Sequence, residues 1–378
     1  MERMILLATE AGVGGIERST RTLARAAADT VSAENVGLVT VWRETQDLPW
    51  PVLYSGSRPG GSSVSAGDKA RFVNNALRHA RQWRSGLGII ATHPHLAPVA
   101  ASMRAITRRP YAVWCHGEEV WGKLRRNVKR ALRRADLVFA PSDFTARRVE
   151  VTAGLTPGSV LVIPHCLPRE LDALLTAERH TKPGQVLTVA RLVDRHRYKG
   201  VDRLLEAWPA VRKSAPDATL VVGGDGDDRP RLESIARDLQ LTNSIEFAGP
   251  VDDDDLLRLY SESAVFVLAS RTSFTPMPEG ESFGLVFVEA AAAAMPVVAG
   301  REGPAPEIVV DERTGLLVDA TKPAEIADAL ARLLGDPEAA EAMGRAGRER
   351  VQKEYSYDMF RHRVADMLGK LDSTPTRR

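Results

Sequence analysis

The chain has 378 residues, 44% of them hydrophobic and 26% charged, with a formal net charge of +2. That length exceeds what one hydrophobic core usually serves, so two domains are expected. The near-neutral balance argues against a general nucleic-acid binder, although Lys and Arg crowd residues 123–134 and aspartates gather at 225–228 and 252–255. The two cysteines, Cys115 and Cys166, form neither a CxxC pair nor a metal-ligand spacing, which points to a reducing compartment. No apolar run reaches the ~18 residues of a membrane span, and Met1 to Ala8 is too short for a signal-peptide core, so a soluble intracellular protein is expected.

The first half opens with an apolar strand, Met4 to Ala8, a loop through Gly12, Gly14 and Gly15, and a helix burying Ile16, Leu23 and Ala27. Strand, glycine loop and helix is how a Rossmann-like domain begins. Apolar runs at Val36–Val41, Gly88–Ala91, Tyr111–Cys115, Leu137–Ala140 and Val160–Ile163 alternate with helical stretches, the pattern of a parallel sheet. The basic run Lys123, Arg125, Arg126, Lys129, Arg130, Arg133 and Arg134 lies close to Trp114 and Trp121. It reads either as a surface for anionic lipid or as the solvated face of a helix with Leu124, Val128 and Leu132 inward.

Pro164, Pro168 and the tract around Thr181-Lys-Pro-Gly184 mark a linker. A second strand series follows at Val186–Ala190, Thr219–Val222, Ile245–Phe247, Val265–Leu268 and Pro296–Ala299. Asp225-Gly-Asp227 could be an Asp-x-Asp metal site, but its position after a strand as Val-Val-Gly-Gly-Asp-Gly favours a glycine turn. Asp252 to Asp255 reads as an acid-capped helix start. The final helix is expected over Met359–Leu371.

The densest signal is Glu281-Ser-Phe-Gly-Leu-Val-Phe-Val-Glu289, followed by alanines and Met295-Pro296. A buried helix is expected from Leu285 to Met295, opening near Gly284 and stopped by Pro296. Its unpartnered first amides would seat a diphosphate at the turn Ser282, Phe283, Gly284, Leu285. Eight residues of helical rise span roughly 12 Å, so Glu281 and Glu289 lie farther apart than the ~5 Å of a retaining glycosidase pair. They are expected to do separate jobs on one ligand. Arg191 ends a strand and Lys199 stands beside Gly200, so both can converge on the same diphosphate and neutralise a departing leaving group.

This segment resembles the signature of retaining nucleotide-sugar glycosyltransferases of the GT-B fold, the large family whose C-terminal half is the glycosyl transferases group 1 domain. Val189-Ala-Arg191-Leu192, Tyr198-Lys199-Gly200, Val222-Gly-Gly-Asp-Gly226, Pro306-Glu-Ile-Val309 and Thr314-Gly-Leu-Leu-Val-Asp319 occur in that family's order, covering roughly residues 185 to 355. Gly14-Gly15-Ile16-Glu17-Arg18, His116-Gly117, Ala135-Asp136 with Pro141-Ser142, and Ile163-Pro164 extend a thinner likeness through the first half. Where the family often has Asn-Gly after Ile-Pro, this chain has His165-Cys166.

The resemblance implies two Rossmann-like domains facing across a cleft. Residues 1–170 with the C-terminal 356–378 would take the acceptor, and residues 183–355 the nucleotide sugar. Gly14 and Gly15 would face the donor phosphates and His116 the transferred sugar, while Glu281 would accept from sugar hydroxyls and Glu289 from ribose hydroxyls. It implies a metal-independent hexosyl transfer from a UDP- or GDP-sugar to a glycan, lipid-linked or small acceptor, with no cofactor, no nucleic acid, and a cytoplasmic location at or near the inner membrane face. A sugar-nucleotide epimerase or a silent nucleotide-sugar binder are the alternatives.

Overall fold

The computed structural model of the protein describes residues 3–9, 15–42, 48–56, 64–83, 87–275 and 277–373. The chain divides into two compact units, Met1–His165 with Asp358–Arg378, and Cys166–Tyr357.

The first unit starts with β1 (Arg3–Ala8), α1 (Gly15–Val31), β2 (Val36–Thr40), β3 (Val52–Tyr54), α2 (Ala66–Gln82) and β4 (Leu87–Ala91). It continues through α3 (Ala97–Thr107), β5 (Tyr111–Trp114), α4 (Glu118–Trp121), α5 (Arg126–Arg134), β6 (Leu137–Ala140), α6 (Asp143–Ala153) and β7 (Leu161–Val162). The strands lie in the order β3-β2-β1-β4-β5-β6-β7, all parallel, with Leu6 opposite both Leu38 and Ile90. Helices on both faces of such a sheet explain why β1 and β5 are apolar without alternation: every side chain in Met4–Ala8 and Tyr111–Trp114 is fully buried.

The second unit contains β8 (Gln185–Val189), α7 (Val201–Ser214), β9 (Thr219–Gly223), α8 (Arg229–Asp238), β10 (Ile245–Gly249), α9 (Asp253–Glu262) and β11 (Val265–Leu268). Then come α10 (Leu285–Ala292), β12 (Val297–Gly300), α11 (Ala305–Ile308), β13 (Gly315–Val318), α12 (Pro323–Gly335) and α13 (Pro337–Glu354). Its parallel sheet runs β10-β9-β8-β11-β12-β13. The last helix, α14 (Tyr357–Ser373), buries Phe360, Val364, Met367, Leu368 and Leu371, and Phe360 stacks 6.3 Å from Trp114 of the first unit's β5.

The apolar runs expected as strands are strands, but β3 and β13 were not among them. Both are short edge strands: β3 offers only Val-Leu-Tyr with Val52 exposed, and β13 only Gly-Leu-Leu-Val. Neither is long enough for a period to register. The helix expected from Leu285 to Met295 stops at Ala292. Ala294 turns to φ 54°, and the Met295 amide reaches back to the Ala290 carbonyl, closing the C-terminus before Pro296 is reached. Trp114 and Trp121, near the basic run in sequence, are core residues, 0% and 1% exposed, and offer no surface aromatic.

Two arginines tie down the end of α10. Arg348 donates to the Ala292 carbonyl at 2.9 Å, and Arg179 donates to Ala294 at 2.9 Å and to the Ser263 carbonyl. Burial lowers the Arg179 guanidinium pKa to about 10, with Glu341 opposing the shift and Arg348 adding to it, so the group stays charged at neutral pH. Removing it would strand the Ala294 and Ser263 carbonyls without a donor. We expect Arg179→Met to cost about 2–3 kcal/mol of stability, since hydrogen bonds to a charged group are worth that much. A denaturant midpoint unchanged in Arg179→Met would contradict this account.

Candidate active site

In an open parallel sheet, ligands bind outside the carboxyl ends of the strands, where the strand order reverses. In the second unit that point lies between β8 and β11, and three of the residues singled out in the sequence meet there. Arg191 follows β8 and is exposed; among the described residues its guanidinium has no hydrogen-bond or ion-pair partner. Lys199 precedes α7 and donates to Glu281 Oε1 at 2.5 Å, with side chains only 16% and 12% exposed. Ser270, just past β11, lies 3.4 Å from the same Glu281 oxygen. Arg191 and Lys199 share one pocket with His196, Arg197, Asp228 and Arg231. Cations outnumber acids in its lining, Arg191, Arg197, Lys199 and Arg231 against Asp202 and Asp228, and after burial Lys199, Arg195 and Arg191 push the His196 imidazole down to about 4 against the opposing Glu281.

Close backbone packing puts these groups there. Gly200, at φ 75°, would place a β-carbon 2.3 Å from the Ala269 carbonyl oxygen, so only glycine lets the Lys199 turn rest on the end of β11. The turn after β9 buttresses the other side. Ala190 donates to the Gly223 carbonyl at 3.0 Å and Leu192 to the Asp225 carbonyl at 3.0 Å, fixing the backbone on each side of Arg191. Asp225 and Asp227 serve this turn, accepting from the Gly226 and Asp194 amides. Asp252 caps α9 by accepting from the Asp255 amide at 2.8 Å.

Gly284, at φ 98°, is the residue from which α10 starts, and a β-carbon there would strike the Phe287 ring. Ser282 is half-buried, Phe283 is 3% exposed, and Leu285 is half-buried. The first amides of α10 therefore begin directly after the loop that carries Glu281. Glu289, 5% exposed within α10, is met by the Tyr260 hydroxyl, which donates to Oε2 at 2.9 Å. The two carboxylates have different partners, and no pairing between them appears. Neither Tyr260 nor Ser270 stands out in the sequence as a site residue; α9 carries the first and the loop after β11 the second, and only the fold brings them near.

The first unit collects a second group at the carboxyl ends of β4 and β5. His116 is 3% exposed, and its Nε2 lies 2.7 Å from the Thr92 carbonyl. A carbonyl only accepts, so Nε2 carries the proton and the neutral ring presents a bare Nδ1. Thr20 of α1 donates to Thr92, which donates to the Leu7 carbonyl, so α1 and β1 reach the same spot. Glu119 closes the His116-Gly117 turn, accepting from both amides at 2.6 and 2.9 Å. Burial lowers the His116 pKa against the raising effect of Glu119. It drives His93 to about 4 and His165 to about 3. Gly15 is the first residue of α1, and Gly14 lies outside the described residues. Thr92 and Glu119 carried no signal as single residues of a common type, and His165 stood out only as a departure after Ile-Pro, with no role attached to it. Among the described residues, no helix is long and apolar enough to cross a membrane.

The chain matches the family model for glycosyl transferases group 1 over residues 176–350 and that for glycosyltransferase family 4 over residues 13–171. It is 34% identical over 264 residues to the GDP-mannose-dependent alpha-(1-6)-phosphatidylinositol monomannoside mannosyltransferase of Mycobacterium tuberculosis, covering 67% of this chain and 68% of the relative. The protein of the same description from Mycolicibacterium smegmatis is 33% identical over 288 residues, covering 72% and 73%. The fold is that of Anabaena Alr3699/HepE, solved in complex with UDP and glucose, at 20% identity and a TM-score of 0.75, covering 98% of this chain and 100% of that one. Two doubly wound parallel sheets, the cationic crevice of the second unit and these likenesses have one reading: the chain belongs to the group 1 glycosyltransferases of the GT-B fold, enzymes that depend on a nucleotide-sugar donor.

Proposed function

We propose that the protein is a retaining mannosyltransferase that draws on GDP-mannose and glycosylates a hydroxyl of a lipid-linked, phosphate-bearing acceptor. What carries the reading is the convergence of Arg191, Lys199 and Glu281 at the β8/β11 switch point, next to the start of α10. The mannosyltransferase relatives support the donor and acceptor class. In this reading the diphosphate lies on the α10 amides, Arg191 and Lys199 take up charge as the nucleoside diphosphate departs, and Glu289 with Tyr260 receives the ribose. Asp225 and Asp227 spend carboxylate oxygens on loop amides, so the departing charge falls to these cations rather than to a metal. Gly14, Gly15 and His116 serve the sugar side, with Nδ1 of His116 accepting from a sugar hydroxyl. The donor phosphate assists departure while the acceptor attacks from the same face.

The acceptor's membrane is met by the first unit. Residues 1–165 and 358–378 contain 28 Lys and Arg against 16 Asp and Glu, formally +12, whereas residues 166–357 contain 23 against 33, formally −10. On α5, Arg126, Lys129, Arg130 and Arg133 recur at helical spacing opposite buried Val128, Ala131 and Leu132. Among the described residues, Lys123, Arg125, Arg126, Lys129, Arg130 and Arg134 have no acidic partner. A face so charged suits an anionic cytoplasmic leaflet, worth about 1 kcal/mol per cation at the surface.

A thermal-shift panel of GDP, UDP, ADP and their sugars tests the donor. GDP-mannose at about 100 times its dissociation constant should add about 2.7 kcal/mol of stability. Indifference to every nucleotide would remove the reading, and isomerised donor without an acceptor would make the protein an epimerase. Glu281→Gln should lower turnover by about 100-fold or more, as loss of a group acting on developing charge does. Glu289→Gln should weaken GDP binding roughly tenfold or more with a smaller effect on turnover. Unchanged kinetics in both variants would refute the assignment. Vesicles containing phosphatidylglycerol should bind the protein at low salt and release it at high salt, and Arg126→Glu with Arg130→Glu should abolish binding. Binding that ignores salt and these changes would refute the membrane face.

A further inference from the structure

His116 does not stand alone. The Trp114 ring lies 4.8 Å from it at 34°, and the His165 ring lies 6.0 Å from it at 11°, almost parallel. Trp114 and His165 are themselves 5.1 Å apart, so the three rings form one closed cluster, with His165 8% exposed and Trp114 fully buried. Trp114 is backed in turn by Phe139 at 5.2 Å and by Phe360 of α14 at 6.3 Å. Thr92 fixes one nitrogen of His116, but a single hydrogen bond leaves the ring free to pivot about that contact. The flat faces of Trp114 and His165 remove that pivot.

His165 occupies the position where the resembling family often carries asparagine after Ile-Pro. An asparagine would supply hydrogen bonds without an aromatic face. In this chain the ring does what an amide cannot: it sets the plane of its neighbour. We propose that His165 is a positioning residue, which together with Trp114 holds the His116 imidazole in one plane so that Nδ1 keeps a single direction toward the sugar. This rests on the reading of His116 given above. A ring free to swing by a fraction of an ångström aims its lone pair poorly, and misplacement of about 1 Å costs roughly 100-fold in rate.

The test is a double-mutant cycle on GDP release from GDP-mannose, read as kcat and KM separately. His165→Ala is expected to lower kcat about tenfold with little change in KM. His165→Phe, which restores a flat face, should recover most of it, and His165→Asn should not. In a His116→Ala background, His165→Ala should have no further effect, because His165 acts only through His116. Long-range proton–nitrogen spectra of histidine-labelled protein supply a readout apart from turnover. They should show His116 as an Nε2–H tautomer with sharp cross-peaks in the wild type and in His165→Phe, and with shifted or broadened cross-peaks in His165→Ala. Equal loss from His165→Ala in both backgrounds would make the residue merely structural and overturn the proposal, as would wild-type kinetics and unaltered His116 cross-peaks in His165→Ala. Full activity of His116→Ala would instead bring down the reading of His116 itself.

Discussion

The second unit's crevice depends on the Lys199–Glu281 ion pair. It joins a turn before α7 to a loop before α10, two segments 82 residues apart in sequence, with both charges almost out of water. Such a pair contributes little net stability, because desolvating two charges consumes most of their attraction. Its effect is geometric: it stretches Lys199 across the carboxyl end of β11 and holds Glu281 beside Ser270. An ammonium has three donors, and Glu281 engages one, so Lys199 can serve a phosphate without leaving its partner. Arg191 completes the arrangement as a cation with no partner among the described residues.

That pair would be misplaced without the backbone beneath it. The Gly200 contact on Ala269 and the Gly223–Asp225 hydrogen bonds around Arg191 bring two βα turns within side-chain reach of one another. The motifs around Arg191, Lys199 and Gly224 are therefore one device seen three times along the chain. The glycines set the spacing of backbones, and the cations then project from a frame that has little freedom to relax.

Much of this was legible because parallel strands buried on both faces write themselves as apolar runs, and because the Glu281–Glu289 motif carries its own helix start. Glycine turns and acid caps were legible for the same local reason: Asp252 acts on Asp255, three residues away. What stayed hidden is non-local or too short. Tyr260 meets Glu289 across 29 residues, and His165 meets His116 across 49, with nothing in either neighbourhood to mark the encounter. Three-residue β3 has no period to read. The end of α10 was misjudged because an alanine run favours helix to its last residue, whereas Arg348 and Arg179 reward an earlier stop.

Net charge concealed more than any motif revealed. A formal +2 is the difference between a unit at +12 and one at −10, and the acidic unit is the one with the cationic crevice. Several of its acids are engaged away from the crevice: Glu312 on Arg332, Asp319 and Glu325 on Lys322, and Asp252 at the start of α9. A negative surface repels a nucleoside diphosphate everywhere except where the field reverses, and low-dielectric walls sharpen that reversal. In the proposed reading, the excess of acid in the second unit would therefore work with Arg191 and Lys199 rather than against them, since it would confine the attraction for a diphosphate to the crevice where their side chains lie.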